Sequence, residues 1–175
     1  MATSGNNGKS KRYSTYVLFG FASIAVMVMY VEAMGFPSLP MVMADFGLTT
    51  KDYALASWVV TVYLVVGAVA IPIFSKLGDI YGKKKMLVVA MSIYTVAVTI
   101  TGFSRDISDS IYVMIAFRAF QGLAMSMFPL AFSIIRDEFP REKVPVAQGV
   151  ISAMFGVGTS VGILLGAYVT DTLGW

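Results

Sequence analysis

Five apolar runs, at about 16–36, 54–74, 86–103, 111–135 and 146–170, leave this chain few architectures to choose from. An α-helix rises 1.5 Å per residue, so roughly 20 residues cross a hydrocarbon core of ~30 Å, and each run is near that length. A barrel strand would be about half as long and would alternate in polarity. The expected fold is therefore all-α and integral to a membrane, with five transmembrane helices. Composition agrees: 57% of residues are hydrophobic and 13% charged, where charged residues make up about a quarter of a soluble domain.

The chain contains no cysteine and no histidine. That excludes a disulfide framework and thiolate metal sites, and it removes the commonest metal ligand and general base. No metal, no cofactor and no enzymatic role are expected, and a net charge of +3 leaves no nucleic-acid footprint. Residues 1–15 read as a cytoplasmic tail. The apolar run after them is too long for a signal sequence and lacks a small-residue cleavage site, so it reads as an uncleaved first span.

Basic residues set the expected orientation. Lys9, Lys11 and Arg12 precede the first span, Lys76, Lys83, Lys84 and Lys85 follow the second, and Arg136, Arg141 and Lys143 follow the fourth. The other side shows Lys51 and Arg105. By the positive-inside rule the N-terminus is cytoplasmic and Trp175 lies outside, and the expected location is the cell membrane. Pro37 and Pro40 each remove a backbone donor and are expected to stop or bend the first helix.

Two ionisable residues fall inside spans, Glu32 and Arg118. A mid-membrane charge costs about 2.5–3.5 kcal/mol on insertion scales, so each should face a protein interior or a wet cavity. Counting along the helices puts Glu32 roughly 6 Å and Arg118 roughly 10 Å below the outer end of their spans. They can pair, or both can line one cavity; Glu32 is also shallow enough to reach the headgroups. Gln121 and Gly122 place an amide and a close-approach site within a turn of Arg118, which favours a functional arginine over a snorkelling one. Gly158, Gly162 and Gly166 recur every fourth residue and form a smooth packing face on the fifth span.

Between spans two and three stands a polar connector, Leu77-Gly78-Asp79-Ile80-Tyr81-Gly82-Lys83-Lys84-Lys85. Its lysines suit anionic headgroups, each worth about 1 kcal/mol near the surface. Asp79 can hold lysines or a helix end, and Gly82 permits a turn with positive φ.

This connector resembles the signature of the major facilitator superfamily, glycine-leucine-x-aspartate-basic-x-glycine-basic-basic. Ser38-Leu39-Pro40, Trp58 to Tyr63, Arg118-Ala119-Phe120-Gln121-Gly122, Phe139-Pro140-Arg141-Glu142 and the glycines of span five follow in the family's order. The chain looks closest to the fourteen-span drug/proton antiporter-like members. The resemblance implies an incomplete N-terminal six-helix bundle, with the C-terminal transporter half absent, and a proton-driven carrier of small molecules. It also implies a conformational loop made by Leu77, Gly78, Asp79, Gly82, Lys83 and Lys84, and a coupling or substrate cavity with Arg118, Gln121, Gly122 and Glu32. The chain departs from the pattern at Ser75 and Ile80, in place of a glycine and a basic residue. It departs again at Gly162-Ile163-Leu164-Leu165-Gly166-Ala167, which lacks the antiporter proline, and Glu32 falls beside the family's acidic position.

The expected function is thus the N-terminal part of a secondary transporter working by alternating access. The alternative is a self-standing five-span assembly protein. The cysteine-free sequence makes the orientation directly testable: Lys85→Cys should react with an impermeant thiol reagent only after the membrane is opened, and Lys51→Cys in intact cells. The reverse labelling pattern would invert the topology.

Overall fold

The computed structural model describes the backbone of residues 4–173 and the side chains of 15–172 other than Arg105. The side chains of Lys9, Lys11, Arg12 and Arg105, and all of Trp175, lie outside the described residues. Seven α-helices appear in order: α1 (Ser4–Asp45), α2 (Tyr53–Tyr81), α3 (Lys83–Gly102), α4 (Ser104–Ile107), α5 (Ile111–Leu123), α6 (Met127–Glu138) and α7 (Val144–Leu173). Among the described residues there is no strand. Among the described residues five stretches are long and apolar enough to cross a membrane: Thr15–Asp45, Thr50–Tyr81, Lys83–Gly102, Ile111–Glu138 and Val144–Thr172.

The fourth of these is one span made of two helices. Pro129 cannot donate to the carbonyl four residues back, and just ahead of it the helix tightens into a 3-10 turn at Ala124–Ser126. At the end of α1 the expectation of a stop is overturned, because the helix runs through Pro37 and Pro40 to Asp45. Tertiary packing outweighs the two missing donors. Leu39, Val42 and Met43 bury against Val59 and Val60 of α2 and Ile111 and Met114 of α5. The Ser38 hydroxyl donates to the Met34 and Gly35 carbonyls at 3.0 and 3.3 Å within the same stretch.

The expected charged loop also contracts. Ser75 to Tyr81 belong to α2 and Lys83 opens α3, so Gly82 alone breaks the helix. Its φ of +99° is one that an L side chain rarely adopts. Gly78, one turn earlier, stays helical, so α2 runs on to Tyr81 and the two helices meet at Gly82.

The helices pack chiefly as α1 against α7 and α2 against α5, with α3 laid over α5 and α6. Between α1 and α7 the backbones nearly touch. A Cβ added at Gly158 would stand 2.6 Å from the Val26 carbonyl oxygen, and one at Gly162 2.5 Å from that of Tyr30. One at Gly166 would lie 3.0 Å from the Met34 Cα. Between α2 and α5, Gly122 has the same relation to Tyr63, whose carbonyl oxygen would lie 2.5 Å away. Lipid tails are as apolar as leucine, so such close approach is how helices associate in a membrane.

Two apolar clusters result. One gathers Val28, Tyr94, Met127, Phe128, Ile135 and Ile151, and the other holds Leu39, Val42, Val59, Ile111 and Met114. The outward surface is apolar as well, with Phe19, Val69, Ile73, Val88, Val96 and Leu164 exposed.

Gly162→Leu should destabilise the folded chain by about 1–3 kcal/mol or more, since the neighbour is backbone and cannot yield as a side chain would. Gly156→Ala, where an added Cβ meets nothing within 4 Å, should be neutral or mildly stabilising. Thermal unfolding in one detergent compares them, and equal effects would mean that the stripe does not hold α7 to α1.

Candidate functional site

Four of the buried polar residues, Glu32, Arg118, Gln121 and Thr101, are joined by hydrogen bonds. Glu32 (5% exposed) on α1 faces Arg118 (8% exposed) on α5. Arg118 Nη1 donates to Glu32 Oε2 and to Gln121 Oε1, both at 3.1 Å. Gln121 Nε2 then donates to Thr101 Oγ1 on α3 at 2.9 Å, and that hydroxyl donates to the Ala97 carbonyl at 2.8 Å. One guanidinium thus links α1, α5 and α3.

Local sequence explains the arrangement. Gln121 stands three residues after Arg118, on the same helix face. Gly35, three residues after Glu32, removes the side chain that would block the arginine: a Cβ there would lie 2.9 Å from Arg118 Nη2. Gly122 lets α5 approach α2 closely enough to place Arg118 in the interior. Of the two readings left open above, pairing is the one observed. Glu32 does not reach the headgroups, because its carboxylate is buried against the guanidinium.

The pair is joined through a single nitrogen. Among the described residues Glu32 Oε1 and Arg118 Nε are buried without a hydrogen-bond partner of good geometry, although the Tyr94 hydroxyl also acts on the Glu32 carboxylate. Buried charges are normally paired and their remaining lone pairs and protons met, so this site is incompletely satisfied. A cavity of about 210 Å³ opens beside it, lined by Arg118, Gln121, Thr101, Gly35, Ser38 and Thr170 with apolar walls between them.

Gly35, Thr101 and Tyr94 are members that the sequence reading missed. The Tyr94 hydroxyl contacts the Val28 carbonyl at 3.5 Å, one turn from Glu32. Gly35 carried a signal, a glycine one turn from an intramembrane acid; Thr101 and Tyr94 carried none, since such residues are ordinary in membrane helices.

The residues of the predicted loop lie at the other end. Lys83 Nζ reaches Asp137 Oδ2 on α6 at 2.6 Å and Asp79 Oδ1 at 4.0 Å. Lys84 Nζ pairs with Glu138 Oε1 at 2.5 Å. Gly78 fits over Leu130, whose side chain would lie 2.6 Å from an added Cβ, and Leu77 is half-buried beside it in α2. Asp79, Lys83, Arg136 and Ser75 line a second cavity of about 400 Å³. The two ends share no residue. Among the described residues no three His, Cys, Asp or Glu side chains are grouped to hold a metal ion.

Comparison with known proteins bears on both ends. The model of the Major Facilitator Superfamily matches residues 21–175. Multidrug resistance protein 3 of Bacillus subtilis (strain 168) is 33% identical over 135 residues, which cover 77% of this chain and 25% of that protein. Multidrug transporter protein MdtP of the same organism is 27% identical over 139 residues, covering 79% of this chain and 24% of MdtP. Riboflavin transporter RibZ of Clostridioides difficile (strain 630) is 27% identical over 137 residues, covering 78% of this chain and 28% of RibZ. The chain spans about a quarter of the length of these curated relatives. With the family match running from within α1 to Trp175, over five helices able to span a membrane, the chain belongs to the Major Facilitator Superfamily.

Proposed function

We propose that this chain forms the N-terminal part of a proton-coupled secondary transporter that moves a small molecule across the cell membrane by alternating access. The observation that carries the reading is the buried Glu32–Arg118 pair, an acid and a base held inside the membrane through one nitrogen. An ionisable residue at that depth is expensive and marks a proton or substrate pathway. A monodentate pair can exchange its partner for a proton or a ligand more readily than a two-bond fork.

In this reading Arg118 and Glu32 couple, and Gln121 fixes the guanidinium towards α3. Gly122 sets the depth of α5, and Gly158, Gly162 and Gly166 hold α7 on α1. At the cytoplasmic end Leu77, Gly78, Asp79, Gly82, Lys83 and Lys84 form a latch that the rest of the transporter closes against. The N-terminus is cytoplasmic. A second reading, a self-standing five-span assembly protein, has one observation in its favour: Gly149 and Gly156 on α7 have open space where a Cβ would stand.

Two of the relatives are named for multidrug transport and one for riboflavin, so ethidium and riboflavin are the first probes. In proteoliposomes of the full-length protein, flux of one of them should follow an imposed pH gradient and collapse with an uncoupler. A flux that the uncoupler leaves unchanged rejects proton coupling, and absence of flux favours the assembly reading.

Arg118→Ala should abolish the pH dependence and cost about 3–5 kcal/mol of stability, because it strands the Glu32 carboxylate in the interior. Glu32→Gln combined with Arg118→Gln should cost clearly less than the sum of the two single changes, as expected for groups in direct contact. Wild-type flux and pH dependence in Arg118→Ala would remove the arginine from the mechanism, and additive stability losses would mean that the pair does not act as a unit.

A further inference from the structure

A tyrosine hydroxyl is buried beside the ion pair. Tyr94 stands on α3, 7% exposed, with its ring in the apolar cluster that holds Val28, Met127 and Phe128. A hydroxyl inside such a cluster is costly unless it is hydrogen-bonded, and phenylalanine would fill the same space without that cost. This hydroxyl meets two acceptors. It donates to the Val28 carbonyl at 3.5 Å, the outer limit of a hydrogen bond, and it also acts on the Glu32 carboxylate. Val28 precedes Glu32 by one helical turn on α1, so one phenol spans a backbone oxygen and a carboxylate on the same helix face.

Glu32 needs different partners in its two protonation states. Oε2 accepts from Arg118 Nη1, whereas Oε1 has no partner of good geometry and is the oxygen open to a proton. Ionised, the carboxylate can only accept, and Tyr94 donates to it. Protonated, it donates through its own O–H. Tyr94 then accepts on its oxygen and turns its hydrogen to the Val28 carbonyl, which has a second lone pair beyond its helical bond. Only the hydroxyl hydrogen swings, and Tyr94 keeps its own proton throughout.

We infer that Tyr94 is a positioning residue for proton coupling: its hydroxyl, set between the Glu32 carboxylate and the Val28 carbonyl, satisfies Glu32 in both protonation states. This deepens the proton-coupled transport reading and rests on it, though the hydrogen bond itself is measured without flux. Arg118 on α5 and Tyr63 on α2 are the other titratable groups that face Glu32 among the described residues. Met127 and Phe128 of α6 and the glycines of α7 bring no charge to this part of α1.

Infrared difference spectra of the full-length protein in lipid, taken between alkaline and acid pH, follow the carbonyl stretch of protonated carboxyl groups. The band lost in Glu32→Gln belongs to Glu32. In Tyr94→Phe, which keeps the ring in its cluster, that band should move to higher wavenumber, as an acid does on losing a hydrogen bond. A hydrogen bond to a charged acceptor is stronger than one to a neutral group, so without the hydroxyl Glu32 should be half-protonated at about tenfold lower proton concentration, roughly one pH unit higher. The pH of half-maximal flux should move the same way. Tyr63→Phe removes a second buried phenol, one with no hydrogen bond to Glu32, and should leave the band in place.

A band or a midpoint unmoved in Tyr94→Phe, an equal change in Tyr63→Phe, or no band lost in Glu32→Gln would each overturn the inference. Flux separates the two claims. The Tyr94→Phe band shift in a protein without pH-driven flux keeps the hydrogen bond to Glu32 and removes the transport reading, whereas pH-driven flux with an unmoved band does the reverse.

Discussion

A bilayer gives helices no solvent-driven reason to associate, so their arrangement depends on contacts that lipid cannot replace. The Glu32–Arg118 pair is one of these. It joins α1 to α5, and through Gln121 and Thr101 it extends to α3, so one guanidinium fixes three helices in register. Parting it would leave a charge in the membrane interior on each side, which makes the register specific as well as stable. The pair nevertheless uses only one of the guanidinium nitrogens, and one oxygen and one N–H lack a partner of good geometry. A site built for stability alone would have closed that gap with a two-bond fork.

Around this pair the same packing device appears twice. Gly122 brings α5 onto the Tyr63 carbonyl of α2, and Gly158 and Gly162 bring α7 onto the Val26 and Tyr30 carbonyls of α1. The inner helices α1 and α5 each take one long partner, and each contact depends on glycine against backbone. This matches the inverted repeats from which many transporters are built, in which the first three helices and the next three share one plan. The ion pair then lies where the two repeats meet, joining the first helix of each.

The five spans, the two intramembrane charges and the glycine stripe were legible in the sequence because each rests on a property of single helices: length, the cost of a charge, and spacing by four. What escaped depends on two helices at once. Pro37 and Pro40 argued for a stop or a bend in α1, and burial of Leu39, Val42 and Met43 against α2 and α5 accompanies its continuation to Asp45. The connector looked like a loop because it is polar, yet polar residues at the membrane edge are equally good helix formers, and Gly82 alone turns the chain. Thr101 became part of the site only because α3 lies over α5. Whether Glu32 paired with Arg118 or reached the headgroups was undecidable from depth, since depth says nothing of which way a helix is rotated.

The turn at Gly82 shows how the fold divides labour among its charges. Lys83 sits 2.6 Å from Asp137 and 4.0 Å from Asp79, so its stronger bond ties α3 to α6 within the bundle. Lys84 repeats that tie with Glu138. Solvent screens exposed pairs of this kind, so they steady the turn weakly and can rearrange. Asp79 is left with a long contact and a side chain 71% exposed. Its position is not arbitrary, because Gly78 settles onto Leu130 and Gly82 turns the chain immediately beyond. The turn therefore holds a carboxylate at a fixed place at this end of the bundle without consuming it.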